Sequence, residues 1–364
     1  MTTADDFKAE IREILDRGPP DDDWPEMQAE AEALADELVV HWRRLRGGSG
    51  PFELDVVCSG GGWRNMYCGG SYALLSALEE VGIVKVKRAA GASSGALAAG
   101  CLGCRCPPRD WYRLHDAWWI LHKRHGLRLY NAVMRGFIRA FYPADAHARC
   151  TKRNTRFSIS DCHEFPYGWP QRVLASNFTS WADFEESILA SCALPFVIGT
   201  PFFLHWRGRR CLDGGVCDNC PAFDDHLRPQ LIVDLHRLKS PAAEMHLLPD
   251  RARLRELWRA GQNDCASILG QVFDPSQSKQ PMTATIVPAD AGAAMRLTTP
   301  GYLSEVDNST SWMSQWAHGA LVCLEIPPIL AVLFCARYGP MVLVSLVLLI
   351  WVVVGWFRGH DGSL

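Results

Sequence analysis

The sequence predicts an α/β protein in which helices cover a mainly parallel β-sheet. Two stretches share the order of an apolar strand, a tight turn of small residues and a helix. Residues 54–58 lead into Gly60–Gly62 and a helix at about 65–81, and residues 84–89 lead into a second such turn and helix. This repeated order is typical of parallel strands joined by crossover helices. Later strands are predicted at 172–176 and 231–235, and a last amphipathic helix at about 251–269.

Two helices are predicted before the sheet, in an extension formed by residues 1–50. The first covers residues 5–17 and ends at Gly18-Pro19-Pro20, and the second runs from about residue 23 to 46. Apolar residues recur at intervals of three and four in both, which predicts one buried face for each. These residues are Phe7, Ile11, Ile14 and Leu15, then Met27, Ala31, Leu34, Leu38, Trp42 and Leu45. We expect both helices to pack on the following domain, with a dimerising coil as the alternative.

The bulk composition argues against a nucleic-acid partner. The chain has 364 residues and a formal net charge of −3, so no excess positive charge attracts a phosphate backbone. The acidic first 17 residues lack the apolar core of a secretory signal, so the 14 cysteines are expected to be free thiols. Cys217 and Cys220 form a C-x-x-C pair, but structural zinc would need a second pair or suitably spaced histidines. We expect no metal and no cofactor.

A helical insertion is predicted at 109–142, where aromatic and basic residues alternate. The aromatic set is Trp111, Trp118, Trp119, Tyr130, Phe137, Phe141 and Tyr142, and the basic set is Arg109, Arg113, Lys123, Arg124, Arg128, Arg135 and Arg139. One interpretation is a structural layer whose arginine stems cover apolar neighbours. The other is a lid that faces anionic lipid headgroups.

The C-terminal part is predicted to attach the chain to a membrane. After a polar linker at 273–318, residues 319–364 contain two uncharged apolar runs, 326–336 and 341–357, separated by Arg337-Tyr338-Gly339-Pro340. A spanning helix needs about 20 apolar residues, which the second run nearly supplies. A single anchor and a hairpin that turns at Gly339-Pro340 are both compatible with this pattern.

A nucleophilic serine is predicted at Ser93. Residues 91–95 have the pattern Gly-x-Ser-x-Gly, whose small residues allow a sharp turn between a strand and a helix, with the serine at its apex. Ser94 occupies an outer position and is expected to be structural. A serine hydroxyl is a weak nucleophile, so this site also needs a base.

The glycine run Gly60–Gly62 predicts a cradle of backbone N–H groups for an oxyanion. Glycines between a strand and a helix let these donors converge without obstruction by side chains. The segment matches neither established phosphate-binding pattern, since Asn65 stands where the last glycine of G-x-G-x-x-G would be. Arg64 then braces the loop or meets an anionic group of the substrate.

The candidate base is Asp213, in the turn Asp213-Gly214-Gly215. Flanking glycines allow the carboxylate to turn into a cleft. An ordinary aspartate, with a pKa of about 3.9, is a feeble base near neutrality. We therefore expect a buried position that raises its proton affinity. A Ser–Asp–His triad completed by His236 or His246 is the alternative.

Taken together, these motifs resemble the patatin-like phospholipase family. The likeness spans about residues 52–269 and includes Gly60–Arg64, the elbow at Ser93, the segment 190–195, and Asp213-Gly-Gly with Asn219 and Pro221 after it. Two positions depart from the family pattern: Ser59 replaces a frequent aspartate, and Asn65 replaces the common glycine after the arginine. The resemblance implies a three-layer α/β/α catalytic domain, here 51–272. It also implies a Ser93–Asp213 dyad without histidine and Gly60, Gly61 and Gly62 as oxyanion donors.

The function expected from this resemblance is hydrolysis of lipid carboxylic esters through an acyl-enzyme. The substrates would be phospholipids or acylglycerols at a membrane, and no nucleic-acid partner is expected. An acyltransferase with the same acyl-enzyme and a non-catalytic membrane scaffold are the alternatives. The catalytic domain is expected on the cytoplasmic side, at the endoplasmic reticulum or a lipid droplet.

Overall fold

The computed structural model describes residues 3–18, 22–46, 50–125, 130–164, 169–194, 203–225, 227–235, 238, 251–273 and 296–298. In chain order the elements are α1 (Ala4–Arg17), α2 (Trp24–Arg46), β1 (Phe52–Cys58), α3 (Met66–Glu80), β2 (Val84–Ala92), α4 (Ser94–Cys104), α5 (Pro108–His125), α6 (Tyr130–Phe141), α7 (Ala146–Lys152), β3 (Arg156–Asp161), β4 (Gln171–Ala175), α8 (Trp181–Ser191), β5 (Leu204–Trp206), β6 (Arg209–Leu212), β7 (Gln230–Val233), α9 (Arg251–Phe273) and β8 (Arg296–Thr298). Short 3-10 turns follow β1 and β6, at Gly62–Asn65 and Gly214–Val216.

The strands form one mixed sheet in the order β5-β6-β3-β2-β1-β7-β8, with β4 also paired to β3. Strands β3, β2, β1, β7 and β8 are parallel, whereas β4 and β6 run antiparallel to β3 and β5 runs antiparallel to β6. The expected mainly parallel sheet is found in these five strands, and the other three make the sheet mixed. At that edge β5 and β6 form a short hairpin, and α8 connects β4 to β5.

The register of the sheet brings the predicted site residues together. Cys58, the last residue of β1, pairs with Gly91 of β2, so the glycine run and Ser93 leave neighbouring parallel strands at the same edge. Strand β3 begins beside the end of β2, with Ala92 opposite Ser158. Because β6 runs antiparallel to β3 and its last residue, Leu212, pairs with Ser160, the chain carries Asp213 back toward Ala92.

The N-terminal helices contribute to the core. Phe7 and Ile11 of α1 are fully buried where α1 packs on α5 and α6, and Met27 of α2 is fully buried where α2 packs on α3 and α9. Gly261 of α9 lets α9 approach α3 closely, since an added Cβ there would lie 2.0 Å from the Tyr67 carbonyl oxygen. The apolar spacing in both N-terminal helices thus predicted the buried faces.

The described part of the insertion, in α5 and α6, is a structural layer. Its aromatic residues Trp111, Trp118 and Phe137 are buried. Its arginines meet carboxylates of other helices and of the turn before α2; Arg139 pairs with Glu185 at 2.7 Å, Arg135 with Glu186 at 2.8 Å, and Arg113 with Asp22. These pairs favour the structural interpretation over a lid, because the paired arginines already have partners within the protein.

The predicted membrane segment, 319–364, lies outside the described residues. Within the described ranges, no helix combines the length and the apolar character needed to cross a bilayer. The structure describes two parts of the predicted irregular linker, 273–318. Phe273 ends α9, and β8 pairs with β7 at the edge of the sheet. The sheet thus receives a strand from a stretch whose polar composition predicted none.

Candidate active site

Ser93 lies at the sharp turn between β2 and α4. Its φ of 53° and ψ of −129° are rare for a residue with a side chain. The motif glycines explain the turn, since a Cβ at Gly91 would lie 2.1 Å from the Gly95 carbonyl oxygen, and one at Gly95 would lie 2.3 Å from that of Cys58. Residues 91–95 therefore form the predicted elbow, with Ser93 before the first turn of α4.

The last residue of α8 and the segment after it hold both candidate catalytic residues by their backbones. The hydroxyl of Ser191, which is fully buried, accepts the N–H of Ser93 at 3.0 Å. Two residues further on, the carbonyl oxygen of Ala193 accepts the N–H of Asp213 at 2.9 Å. Ser191 is thus a positioning residue at the elbow, and its hydroxyl fixes the peptide that precedes the nucleophile.

Hydrogen bonds of the side chain and of the backbone fix the turn at Asp213. One carboxylate oxygen, Oδ1, accepts the N–H of Gly215 at 2.8 Å. The hydroxyl of Ser160 donates to the Asp213 carbonyl oxygen at 2.7 Å and fixes the turn on β3. A Cβ at Gly214 would lie 2.0 Å from the Ser158 carbonyl oxygen, so this glycine is required for the close approach of the turn to β3.

Burial raises the pKa of the Asp213 carboxyl from 3.8 to about 6, although hydrogen-bonding interactions with the Ser93 hydroxyl and the Gly215 N–H hold it down. Its Oδ2 atom is buried and makes no hydrogen bond of standard geometry within the described residues. The Ser93 hydroxyl is therefore the side-chain group that lowers the pKa of this carboxylate, although the two groups do not meet the geometry of a standard hydrogen bond. A buried carboxylate with raised proton affinity beside a serine hydroxyl has the properties of a general base.

The glycine run lies against the same site, but two of its N–H groups have acceptors in the protein. Gly60 donates to the side-chain oxygen of Asn219 at 3.1 Å, and Gly61 donates to the Ser94 hydroxyl at 3.0 Å. Within the described residues, the Gly62 N–H donates no hydrogen bond. Gly62 has a φ of 57°, in the left-handed region that favours glycine. Ser94 has the structural role that its outer position predicted, since it joins the elbow to the loop.

The two departures from the family pattern have local structural roles. The Ser59 hydroxyl accepts the N–H of Leu235 at 2.7 Å and ties the end of β1 to the chain after β7. The side-chain amide of Asn65 donates to the Ser94 carbonyl oxygen at 3.4 Å. Arg64, the supporting residue that the sequence suggested, is buried in the short turn after the loop.

Asn219 and Ser191 are the site residues to which the sequence pattern assigned no role. Asn219 makes three hydrogen bonds with Gly60, because its backbone carbonyl oxygen also accepts the Gly60 N–H at 3.3 Å and its side-chain nitrogen donates to the Gly60 carbonyl oxygen at 3.2 Å. A Cβ at Gly60 would lie 2.6 Å from the Asn219 Oδ1 and 2.8 Å from the Ser93 Cβ. Their places in the sequence motifs could have pointed to these roles. Asn219 follows the Asp-Gly-Gly turn, and Ser191 lies in the segment 190–195.

No group of three or more histidine, cysteine, aspartate or glutamate side chains in the described ranges could hold a metal ion. The C-x-x-C pair, Cys217 and Cys220, lies in the loop that follows Asp213. His236 and His246, the candidates for a third triad member, lie outside the residues that the structure describes.

Residues 56–225 match the family model described as patatin-like phospholipase. This segment is a patatin-like domain. The match contains the glycine run, Ser93 and Asp213, and it confirms the resemblance that these motifs suggested. A comparison with curated proteins found no match to the chain. The patatin-like domain relates the chain to lipid acyl hydrolases, and the sheet and helices described above fit such a domain.

Proposed function

We propose that this chain is a serine lipid acyl hydrolase that cleaves carboxylic esters through a Ser93–Asp213 dyad. One observation carries the proposal: the buried Asp213 carboxylate, with its pKa raised to about 6, interacts with the Ser93 hydroxyl at a strained strand-to-helix turn. At neutral pH such a carboxylate is mostly ionised, yet it holds a proton better than an exposed aspartate. It can therefore accept the serine proton as the attack proceeds.

The reaction follows from this geometry in two stages. Asp213 accepts the Ser93 proton while the Ser93 oxygen attacks the ester carbonyl. The leaving alcohol then takes that proton, and an acyl-enzyme remains. In the second stage Asp213 deprotonates a water molecule, which attacks the acyl-enzyme. As the bond to Ser93 breaks, Asp213 returns the proton to the serine oxygen and the fatty acid is released.

The oxyanion of each tetrahedral intermediate needs preorganised donors near Ser93. Among the N–H groups of the glycine run, that of Gly62 can bind the oxyanion directly. Within the described residues it has no hydrogen bond to break first. The positive end of the α4 dipole adds to this stabilisation, because no side chain caps the helix at Ser93. Gly60 and Gly61 position the loop through Asn219 and Ser94, and they become donors only if those bonds exchange.

A lipid substrate is supported by apolar surface beside the base. Leu194 is 41% exposed and directly follows Ala193, whose carbonyl oxygen binds the Asp213 N–H. In the sequence, the uncharged stretch 341–357 supports attachment of the chain to the membrane that contains the substrate. We place the catalytic domain on the cytoplasmic side, where cysteines remain reduced.

Product identification tests the proposal. Wild-type protein incubated with phospholipid liposomes or triacylglycerol emulsions should release free fatty acid and the matching lysolipid or diacylglycerol, measured by mass spectrometry. Ser93→Ala should abolish release, because no other group in the proposed mechanism forms the acyl-enzyme. Ser267→Ala, which changes an exposed serine of α9, is the matched control and should keep full activity. Equal product release by Ser93→Ala and the control would refute the dyad.

A further inference from the structure

A short arch, residues 61–65, leads from the glycine run into α3, and both of its ends contact Ser94. The Gly61 N–H donates to the Ser94 hydroxyl at 3.0 Å, and the side-chain amide of Asn65 donates to the Ser94 carbonyl oxygen at 3.4 Å. Ser94 directly follows the nucleophile, Ser93, and begins α4. The two contacts therefore fix the arch on the elbow that presents the nucleophile.

The proposed oxyanion donor, the Gly62 N–H, lies inside this arch. The Arg64 N–H donates to the Gly61 carbonyl oxygen at 3.2 Å, so residues 61–64 form a closed turn. Because this turn is short, a shift at either end of the arch changes where the Gly62 N–H lies relative to the substrate carbonyl oxygen. The contact between Asn65 and Ser94 holds the end that leads into α3.

Other contacts near the arch connect it to helices that carry no catalytic residue. Helix α3 packs chiefly on α9 and α2. The ring of Trp63, in the middle of the arch, contacts the rings of His115 and Trp118 in α5, at centroid distances of 5.8 and 5.5 Å. These contacts hold the arch to the surrounding helices, whereas the Asn65 amide holds it to the elbow.

The side chain of Asn65 is kept at a cost to stability. It is buried, and its Oδ1 atom has no hydrogen-bond partner within the described residues. A buried acceptor that is left unsatisfied destabilises a fold, and an apolar side chain of the same shape avoids that cost. Fold stability alone therefore does not account for an asparagine at this position.

We propose that Asn65 is a positioning residue for oxyanion stabilisation, because its amide holds the arch 61–65 on Ser94 and directs the Gly62 N–H at the substrate carbonyl oxygen. The inference rests on the proposed function and deepens it. The nucleophile and the base carry out the proton transfers, and Asn65 acts only through the arch.

The test replaces Asn65 by leucine, which has nearly the same shape and no donor. In hydrolysis of a soluble ester by the full-length variant, kcat should fall by about ten- to hundredfold with little change in KM, since a misplacement of about 1 Å can cost about hundredfold. Gln262→Leu is the matched control. Gln262 has a buried carboxamide that donates to the Met27 carbonyl oxygen at 3.0 Å, and its replacement should leave kcat unchanged.

A second readout separates positioning from a general loss of structure. A trifluoromethyl ketone forms a tetrahedral adduct with the nucleophile, and the oxyanion of this adduct binds the same donor as the substrate. Its inhibition constant should rise in Asn65→Leu by the factor by which kcat/KM falls, since both report the tetrahedral state. A variant that merely folds less completely would lower kcat and leave this constant unchanged. Asn65→Ala, which cannot overpack the site, should show the same rise.

Three results would overturn the inference: a wild-type kcat in Asn65→Leu, an equal loss in Gln262→Leu, or an unchanged inhibition constant in both Asn65 variants. If the wild type hydrolyses no ester, the proposed function fails separately. Hydrogen exchange then decides whether Asn65 holds the arch, because the Gly61 N–H should exchange faster in Asn65→Leu once the far end of the arch is released. Unchanged exchange at Gly61 in the folded variant would contradict it.

Discussion

Replacement of the base should stabilise the protein, because the buried carboxylate of Asp213 is ionised at a cost to the folded state. Burial raises the pKa of this carboxyl from 3.8 to about 6. Below about pH 3 the group is protonated in both the folded and the unfolded chain, and above about pH 7 it is ionised in both. Stability that is present at low pH is therefore lost as the pH rises through this window. At about 1.4 kcal/mol for each tenfold change in proton affinity, the loss is about 3 kcal/mol.

Asp213→Asn removes this loss while its side-chain oxygen can still accept the Gly215 N–H. We expect the variant's gain in the free energy of unfolding over wild type to be larger by about 2 kcal/mol at about pH 7.5 than at about pH 4, because the carboxyl of the unfolded chain is already about half ionised at pH 4. Urea unfolding followed by circular dichroism at both pH values measures the difference. Asp224→Asn, at an exposed carboxylate, is the matched control and should change stability by less than about 0.5 kcal/mol. A variant that gains no stability between the two pH values would refute the assignment of a buried, ionised base.

Three further predictions concern catalysis. Because the ionised form of Asp213 is the base, kcat/KM for a soluble ester should rise about tenfold between about pH 5 and pH 7; a flat profile would contradict this. Gly60→Ala should lower kcat/KM by about hundredfold, since the added Cβ collides with the Ser93 Cβ. Gly270→Ala, where a Cβ has ordinary van der Waals room, should keep activity, and equal loss in both would argue against a specific collision. Ser191→Ala should lower kcat about fivefold with little change in KM, because a hydrogen bond contributes about 1 kcal/mol; an unchanged kcat would remove its positioning role.

Local patterns predicted the elements that present the catalytic residues. The apolar run of β1, the small residues around Ser93 and the amphipathic spacing of α9 each depend on residues close in the sequence. Their periodicity is therefore visible without the fold. The order of the motifs also predicted that Ser93 and Asp213 belong to one site, although the register of β6 against β3, which brings them together, depends on long-range pairing.

The antiparallel edge and the supporting hydrogen bonds could not be predicted from local patterns. Strand β6 has only four residues, two of them arginines, so its sequence lacks the alternation of apolar and polar residues that predicts a strand. Its pairing with β3 makes it a strand. Ser191 binds a residue 98 positions away, and Asn219 binds Gly60 across 159 positions. Such contacts depend on tertiary packing. For the same reason the sequence could predict Gly60 and Gly61 as donors but could not show that Asn219 and Ser94 accept their N–H groups.

The most direct test of the Ser93–Asp213 assignment is the rate constant for covalent labelling by a fluorophosphonate probe at neutral pH, compared between the wild type and Asp213→Asn, with the labelled residue identified by mass spectrometry. The account predicts a label on Ser93, attached about 10²- to 10⁴-fold more slowly without the base. Equal labelling rates, or a label on another residue, would contradict it.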